Sequence, residues 1–308
     1  MTDAAVKTLT VTDADAGKRI DLVVGERLSL SRAKLRDLFD AEAVRLNGRK
    51  AKKGIAVQPG QIIEVREVVA PVSTEPPRVA VSLSILHEDA DLVFVDKPSG
   101  VPSQPLTLTE TGTIASALIA RDATMQEVST DAKEGGLCHR LDIETSGVLL
   151  AAKNRAAWDT MRAAFGAGGD IDKRYLALVT GPLADSGDID IPLAHRGDHV
   201  RPVIIGDEGR SAISQFEVKA RKGEFALVEV RILTGVLHQV RAHLAAVGAP
   251  IVGDAMYGGR QVPQLNRFFL HAASLTVTHP TTGERLTVSA ALPAELQAVL
   301  QSTIGAVS

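Results

Sequence analysis

The sequence predicts an α+β protein, in which a small N-terminal α/β module precedes a larger domain built on a mixed, mainly antiparallel sheet with flanking helices. Two observations support this fold class. Strand patterns outnumber the helical segments that could connect parallel strands. The stretch PVSTEPPRV at 71–79 contains three prolines and has no periodicity, which indicates a linker. We therefore expect the module at 1–70 and the larger domain at 80–308.

Composition limits the class of protein. The chain has 308 residues, of which 45% are hydrophobic and 23% charged, as is usual for globular proteins. No apolar run approaches the length of a membrane span and no leader pattern opens the sequence, so we expect a cytoplasmic protein without a membrane partner. Cys138, the single cysteine, excludes an internal disulfide and a multi-cysteine zinc site. We expect a monomer.

Basic residues are concentrated near the N-terminus. Between Lys18 and Lys53 the chain has eleven lysines and arginines against five acids, an excess of six positive charges. Because the whole chain carries −3, the remainder carries −9. This distribution predicts one segment suited to binding a polyanion.

The module is predicted to combine two short helices with a small sheet. Helical spacing continues through Leu22 to Leu28, and Ser31 is placed to cap a second helix. That second helix would bury Leu35, Leu38 and Phe39. Strand patterns at 44–46 and 61–65 follow, with a tight turn predicted at Asn47 and Gly48.

This order of elements resembles a small RNA-binding domain shared by a ribosomal small-subunit protein, tyrosyl-tRNA synthetases and several RNA-modifying enzymes. The resemblance depends on R-I-D at 19–21, S-R at 31–32, V-R-L-N-G at 44–48, and K-x-G and P-G between 52 and 60. It implies that RNA is bound by Arg32, Lys34, Arg36 and Arg45. For an isolated helix, a solvated charged face is the alternative interpretation.

The larger domain is predicted to begin with strands and to return to them after two helices. The expected elements are strands at 85–89 and 92–96, a helix at 113–125, a buried strand at 148–152, a helix at 154–165, strands at 173–179, 214–219 and 225–233, helical spacing at 235–246, a hairpin of 274–277 with 285–288, and a helix from Pro293. Strand 92–96 ends in a D-K-P-x-G corner at 96–100.

The stretch HRLDIETSG at 139–147 is the first candidate site. Asp142 precedes the continuous apolar run at 148–152, and the turn formers at 145–147 lie between them. Asp142 is therefore expected to be partly buried. A buried carboxylate needs a cation, which either Arg140 or a distant arginine would supply.

Familiar cofactor motifs are absent from the sequence. It has no phosphate-binding G-K-S/T loop, no G-x-G-x-x-G after a strand and no G-x-S-x-G elbow. His238 and His243 lack the H-E-x-x-H pattern, so we expect no metal. Any chemistry should then proceed without a cofactor.

Four ordered motifs resemble those of the RluA-type pseudouridine synthases. They are D-K-P-x-G at 96–100, HRLD-x-x-TSG at 139–147, K-R-Y-x-A-x-V-x-G at 173–181, and T-G-x-x-H-Q-x-R-x-H-L with P-I-x-G-D-x-x-Y-G at 234–258. An RNA-binding module in front of them is similar to the members that act on large-subunit ribosomal RNA.

The resemblance implies roles for individual residues. Asp142 matches the catalytic aspartate, which acts on the glycosidic linkage of a uridine flipped out of its RNA. Tyr175 matches the tyrosine that stacks on the target base, and Arg241 matches the arginine that pairs with the aspartate. Arg140 matches an arginine that occupies the space left by the extruded base. The implied reaction is an isomerisation, so it requires neither a cofactor nor an energy source.

One departure from the family pattern leaves alternatives open. The family usually has T-G-R-T/S-H-Q, whereas this chain has Val236 and Leu237 in place of the arginine and the hydroxyl residue. We expect weaker phosphate contacts or altered hydrogen bonding around the aspartate. A non-catalytic RNA-binding or ribosome-assembly factor is the alternative function. A hydrolase that releases free base is the third, and it would need Glu144 as a second carboxylate.

Overall fold

The protein consists of two compact units, Met1–Thr74 and Glu75–Ser308. The structure, a computed structural model, describes residues 6–28, 30, 35, 38–39, 41–66, 81–107, 110–166, 171–196, 199–203 and 209–305. The linker expected at 71–79 lies outside these residues. Each unit has a hydrophobic core of its own.

The first unit is a four-stranded antiparallel sheet packed against a helix. Its elements are β1 (Val6–Thr10), helix α1 (Ile20–Leu28), β2 (Val44–Leu46), β3 (Arg49–Lys50) and β4 (Ile62–Arg66), and the strand order is β1-β4-β2-β3. Ile20 and Val24 of the helix pack against Val44 and Ile63 of the sheet, and all four are fully buried. The helix is held to the sheet by this apolar contact, because burying such side chains is favourable by about 1.5–3 kcal/mol each.

The tight turn predicted between β2 and β3 is present. Asn47 and Gly48 have φ values of 50° and 75°, the two left-handed conformations that a two-residue hairpin turn requires. The Asn47 side chain accepts a hydrogen bond from the backbone N–H of Ile62 at 2.8 Å, which ties the turn to β4.

The predicted second helix lies only partly within the described residues. Leu35 and Leu38 are buried in the core of the first unit, and Phe39 packs against that core, as the apolar spacing predicts. The candidate RNA-binding residues Arg32, Lys34 and Arg36 lie outside the described residues, as does the predicted cap Ser31.

The second unit is organised around a nine-stranded sheet. Its strands are β5 (Ser84–Glu88), β6 (Leu92–Lys97), β7 (Ser146–Ala152), β8 (Asp172–Thr180), β9 (Ser186–Asp190), β12 (Ile213–Lys222), β13 (Phe225–Ile232), β14 (Leu270–Thr278) and β15 (Arg285–Ser289), with β10 (Leu193–Arg196) and β11 (His199–Pro202) forming a separate hairpin. The order is β5-β6-β7-β14-β8-β13-β12-β9, and β15 pairs with β14. Among the strands that the structure describes, only β7 and β14 pair in parallel, and the other pairs within the sheet are antiparallel.

Helices flank this sheet and surround its core. They are α2 (Ile114–Arg121), α3 (Met125–Val128), α4 (Arg155–Gly166), α5 (Gln239–Ala246) and α6 (Ala294–Thr303). This unit also has 3-10 turns at Ala132–Glu134 and Ala255–Tyr257, and the first unit has one at Asp13–Asp15. Every residue of β7 is buried, in agreement with its continuous apolar run. The predicted α+β class with a mixed, mainly antiparallel sheet is confirmed.

Three details differ from the sequence prediction. The helix expected from Gly235 begins at Gln239, because His238 has a φ of 51° and interrupts the helical conformation. The helix expected at 113–125 ends at Arg121, because Asp122 is extended. Strands β9, β10 and β11 were not expected.

Neither a membrane span nor a metal site is found in the part of the chain that the structure describes. None of the helices there has both the length and the hydrophobicity needed to cross a bilayer. Within the same residues, no three His, Cys, Asp or Glu side chains are grouped so that they could hold a metal ion.

Gly147 provides a test of the central strand pairing. Its φ is 113°, and a Cβ atom there would lie 2.2 Å from the carbonyl oxygen of Ala272 on β14. Gly147→Ala should therefore destabilise the second unit by at least about 3 kcal/mol. Trp158, the only tryptophan, donates to the Leu137 carbonyl in this unit, so thermal unfolding followed by its fluorescence measures the effect.

Gly223→Ala is the matched control for that substitution. Gly223 also has a positive φ, 59°, but an added Cβ would meet nothing within 4 Å. Conformational strain alone should then cost about 1 kcal/mol. Equal shifts in the two melting temperatures would contradict a close approach of β7 and β14 at Gly147.

Candidate active site

The loop that carries Asp142 has its backbone fixed at four consecutive carbonyl groups. Ser103 donates to Leu141 at 2.9 Å, and the backbone N–H of Thr145 donates to Asp142 at 3.1 Å. The Ile143 carbonyl accepts from Lys97, and the Glu144 carbonyl accepts from Arg267. Because buried donors fix each of these groups, the position of the Asp142 side chain is set before any substrate arrives.

Lys97 is the fully buried cation beneath this loop. Its Nζ donates to the carbonyl oxygens of Pro98, Val101 and Ile143 at 2.9, 2.6 and 2.9 Å. Burial, together with the charge of Arg267, lowers the pKa of Lys97 to about 7. Three acceptors around one nitrogen match the three N–H groups of the ammonium form, so the protonated lysine fits this geometry. Lys97 thereby joins the D-K-P-x-G corner to the Asp142 loop.

Arg267 is a second buried cation that holds the loop. Its Nη1 donates to the Glu144 carbonyl at 2.7 Å and its Nη2 donates to the Ser146 hydroxyl at 3.1 Å. Glu295 on α6 accepts from its Nε at 2.9 Å. Ser146 in turn lies 3.0 Å from Nδ1 of the buried His271 on β14. This network links the loop to the C-terminal helix and to the central strand of the sheet.

Arg241 on α5 is the cation that meets Asp142. Its Nη1 donates to Asp142 Oδ2 at 3.1 Å, and only 7% of its side chain is exposed. A second carboxylate, Asp254, accepts from Nε and Nη2 at 2.7 and 3.0 Å. Burial opposes the charged form, but the ion pairs with Asp254 and Asp142 raise the pKa of Arg241. The guanidinium therefore stays charged between two acids.

Tyr175 is a buried residue of strand β8. The residue is 8% exposed. Burial raises the pKa of its hydroxyl, and the negative charge of Asp142 adds to the effect. Its neighbour Lys173 donates to the Thr234 carbonyl at 3.0 Å. Strand β8 is thus tied to the segment that leads into α5.

His139 is a structural member of the HRLD segment. Its ring stacks on Phe165 with centroids 4.7 Å apart, and its Nε2 accepts the backbone N–H of Leu150 at 3.1 Å. Loss of hydration lowers the pKa of His139 to about 3, so the ring is neutral and suited to accept this bond. Arg140, one residue later, is exposed.

His238 and Tyr257 border the site on the side of the hairpin β10–β11. His238 Nε2 lies 3.9 Å from Asp142 Oδ1, and its Nδ1 is 3.1 Å from the Tyr257 hydroxyl. That hydroxyl also lies 3.1 Å from both the N–H and the carbonyl of Val200 on β11. Tyr257 therefore connects the hairpin to the surroundings of Asp142.

Val236 and Leu237, the departure from the family pattern, have a structural role. Both side chains are half-buried and pack against an apolar cluster that contains Leu193, Val200 and Ala242. The two residues thus fasten the β10–β11 hairpin to the loop that precedes α5. The backbone of this loop is also fixed, because the Val236 N–H donates to Gln239 Oε1 at 3.1 Å.

The structure pairs two of the residues singled out from the sequence, Asp142 and Arg241, and the charge of Asp142 acts on the hydroxyl of a third, Tyr175. Arg45 lies in the first unit, where its Nη1 donates to the Gly48 carbonyl at 3.0 Å. Sequence reasoning missed Asp254, although it lies within the P-I-x-G-D motif. It also missed Lys97. Alternation along β6 places Lys97 on the same face as the buried Val95, which was the available signal.

Comparisons with known proteins show to which family the chain is similar. A family model described as RNA pseudouridylate synthase matches residues 91–246. The chain is 31% identical to the protein of Xanthomonas campestris named ribosomal large subunit pseudouridine synthase D, over 97% of this chain and 93% of that protein. It is 33% identical to an uncharacterized RNA pseudouridine synthase of Mycobacterium bovis, over 96% of this chain and 98% of that protein.

A solved structure supports the same assignment. The human protein RNA Pseudouridylate Synthase Domain Containing 4 matches with a TM-score of 0.56 and 26% sequence identity, over 71% of this chain and 92% of that one. The family model covers three of the four sequence motifs in full, and the match to the Xanthomonas campestris protein spans 97% of the chain. The chain therefore belongs to the RNA pseudouridylate synthase family, and the predictions of this family and of an isomerase are confirmed.

Proposed function

We propose that this protein converts uridine to pseudouridine at specific positions of structured RNA, namely large-subunit ribosomal RNA. In this proposal Asp142 acts on the glycosidic linkage of a uridine that is flipped out of the RNA. The observation that carries the proposal is the carboxylate of Asp142 itself. It is 21% exposed, whereas the Arg241 side chain that holds it is 7% exposed. A fixed, accessible anion on a rigid loop is what chemistry at a sugar carbon requires.

The reaction needs few participants. The bond between N1 and C1′ breaks, the uracil turns, and C5 joins C1′, while a proton leaves C5 and another is taken up at N1. Electrons balance without an oxidant or a reductant. A carboxylate serves either as a nucleophile at C1′ or by stabilising positive charge on the ribose.

Tyr175 and Arg140 are proposed to hold the substrate. Tyr175 would stack on the flipped uracil, and its place on β8, where the charge of Asp142 acts on its hydroxyl, supports this role. Arg140 would occupy the space that the base leaves in the RNA. Its exposed side chain, two residues from Asp142, supports that assignment. A base-flipping enzyme needs such a group because an emptied stack is costly.

Large-subunit ribosomal RNA is proposed as the substrate on two grounds. Relatives in Xanthomonas campestris and Nitrosomonas europaea bear the name ribosomal large subunit pseudouridine synthase D, and both matches span nearly the whole chain. The excess of six positive charges between Lys18 and Lys53 suits this segment to binding a polyanion such as RNA. In the proposal Arg32, Lys34, Arg36 and Arg45 contact the phosphates and target the enzyme.

Asp142→Asn tests the proposed catalytic role. The amide keeps the shape of the side chain but loses the negative charge, so we expect pseudouridine formation to fall by at least about 10³-fold. Release of tritium from RNA labelled at C5 of uridine measures the reaction, and RNA binding should be unchanged.

Asp159→Asn, an exposed carboxylate on α4, is the control and should keep full activity. Unchanged activity in Asp142→Asn would remove Asp142 from the mechanism. RNA binding without any product from the wild-type protein would favour the non-catalytic alternative, and free uracil as the product would favour a hydrolase.

Arg45→Ala tests the RNA-binding role of the first unit. Loss of one phosphate contact should reduce the slope of log affinity against log salt by about 1 and raise KM, with kcat unchanged. Filter binding between low and high salt measures the slope. Arg155→Ala on α4 removes an exposed arginine of the second unit, which pairs with Asp159, and should leave the slope unchanged.

Mapping pseudouridine in cells with and without the gene tests the proposed substrate. Sites in large-subunit ribosomal RNA should be lost in the deletion strain and restored by the wild-type gene, but not by Asp142→Asn. Loss of sites confined to transfer RNA would overturn the assignment to ribosomal RNA while leaving the isomerase activity intact.

A further inference from the structure

The guanidinium of Arg241 divides its N–H groups between two carboxylates, Asp254 and Asp142. Nε and Nη2 form two parallel hydrogen bonds to Asp254, at 2.7 and 3.0 Å, and Nη1 forms one bond to Asp142, at 3.1 Å. We propose that Asp254 is a positioning residue for the isomerisation, which orients Arg241 and restricts it to a single hydrogen bond with Asp142. This inference rests on the proposed role of Asp142.

Asp254 is placed to impose this orientation because its own position is fixed. The residue is 1% exposed. Its backbone carbonyl accepts from the Gly259 N–H at 2.7 Å. On either side of it, Gly253 and Gly259 lie so close to neighbouring backbone that an added Cβ would come within 2.1 and 1.8 Å of a carbonyl oxygen. A side chain on so constrained a turn has little freedom to follow a moving arginine.

The same turn is anchored to the strand that carries Tyr175. The Val252 N–H donates to the Leu178 carbonyl on β8 at 2.8 Å, and the Val252 carbonyl accepts from the Phe269 N–H at 2.8 Å. Asp254 thereby sets the arginine relative to β8 and to the start of β14. Tyr175, the proposed stacking residue, and Arg241, the cation that contacts Asp142, are therefore held by the same hydrogen-bonded backbone.

Two aromatic rings fix the plane of the Arg241 guanidinium, but they do not prevent it from rotating within that plane. Arg241 lies over the ring of Phe268 at 4.2 Å and over that of Tyr257 at 5.0 Å. Such contacts act on the face of the guanidinium. The two-bond contact with Asp254 is directional, since each N–H points at a different oxygen. Asp254 is therefore the group that determines which N–H faces Asp142.

A single bond to Asp142 leaves that carboxylate available for reaction. The oxygen Oδ1 lies 3.9 Å from His238 Nε2, beyond hydrogen-bonding distance. Asp254 binds the edge of the guanidinium formed by Nε and Nη2, which can make two parallel hydrogen bonds. Arg241 is thus shared by two carboxylates, and Asp142, Arg241 and Asp254 together keep one net negative charge. Without Asp254, the guanidinium would be able to turn its two-bond edge towards Asp142. A carboxylate bound in that way is more strongly neutralised and a weaker nucleophile.

Asp254→Asn tests the inference. The amide is isosteric but offers one acceptor atom in place of two, so the guanidinium is no longer held at both Nε and Nη2. We expect kcat to fall by about 10- to 100-fold, with KM and RNA affinity unchanged. Asp254→Glu should recover part of the activity, because it restores both acceptors.

A double-mutant cycle with Arg241→Lys separates positioning from a purely structural effect. Lysine keeps the charge but has no planar fork to orient. If Asp254 acts through Arg241, adding Asp254→Asn to Arg241→Lys should lower kcat by less than about twofold further. Losses that multiply fully in the double variant would overturn the inference.

Asp172→Asn is the matched control. Asp172 accepts from Arg174 and Arg231 in the same unit, and its side chain is 17% exposed, so its loss also disrupts a partly buried ion pair. We expect it to lower the melting temperature but to leave kcat unchanged. The proposed function stands if the wild-type protein is active and Asp142→Asn is not. If Asp254→Asn then has a normal kcat, the role of Asp254 is rejected while the proposed function is kept.

Discussion

A buried guanidinium sets the constraint on which the catalytic unit depends. Arg241 is almost fully removed from water, and an unpaired cation there would cost several kcal/mol. The fold meets this requirement with two carboxylates from separate segments, Asp142 and Asp254, and with the ring faces of Phe268 and Tyr257. The segments that carry Asp142, Arg241 and Asp254 must therefore come together in one arrangement. The same arrangement produces the site, because satisfying the charge also fixes the carboxylate.

The proposed reaction uses no cofactor and relies instead on the rigid position of Asp142. Lys97 and Arg267, both buried, hold the backbone carbonyl groups of Ile143 and Glu144, the two residues that follow the acid. Buried cations are expensive, and their hydrogen bonds to main-chain carbonyls offset that cost here. A loop fixed in this way loses little entropy when the substrate binds, so binding energy is available to distort the nucleotide. Such distortion is what flipping a base out of a stacked RNA requires.

Local patterns were sufficient to predict most elements, but the assembly of the site depended on distant contacts. The apolar run of β7, the turn at Asn47 and Gly48, and the pairing of β12 with β13 follow from periodicity and turn chemistry. The start of α5 was misplaced, because His238 has a left-handed conformation that the local sequence pattern does not indicate. Asp254 carries no local signal of burial, since only its pairing with Arg241, thirteen residues earlier, makes it part of the site. Motif resemblance located Asp142, Tyr175 and Arg241, which spacing alone left undecided.

The parallel pairing of β7 with β14 has a consequence for the order of folding. Strand β14 lies between β7 and β8, although it follows β7 in the chain by more than a hundred residues. During synthesis, the apolar strand β7 therefore emerges long before the neighbour that completes its hydrogen bonding. High contact order of this kind slows folding and leaves strand edges exposed to aggregation. The first unit, whose described strands end at Arg66, has no such delay and is free to fold while the larger sheet is still being made.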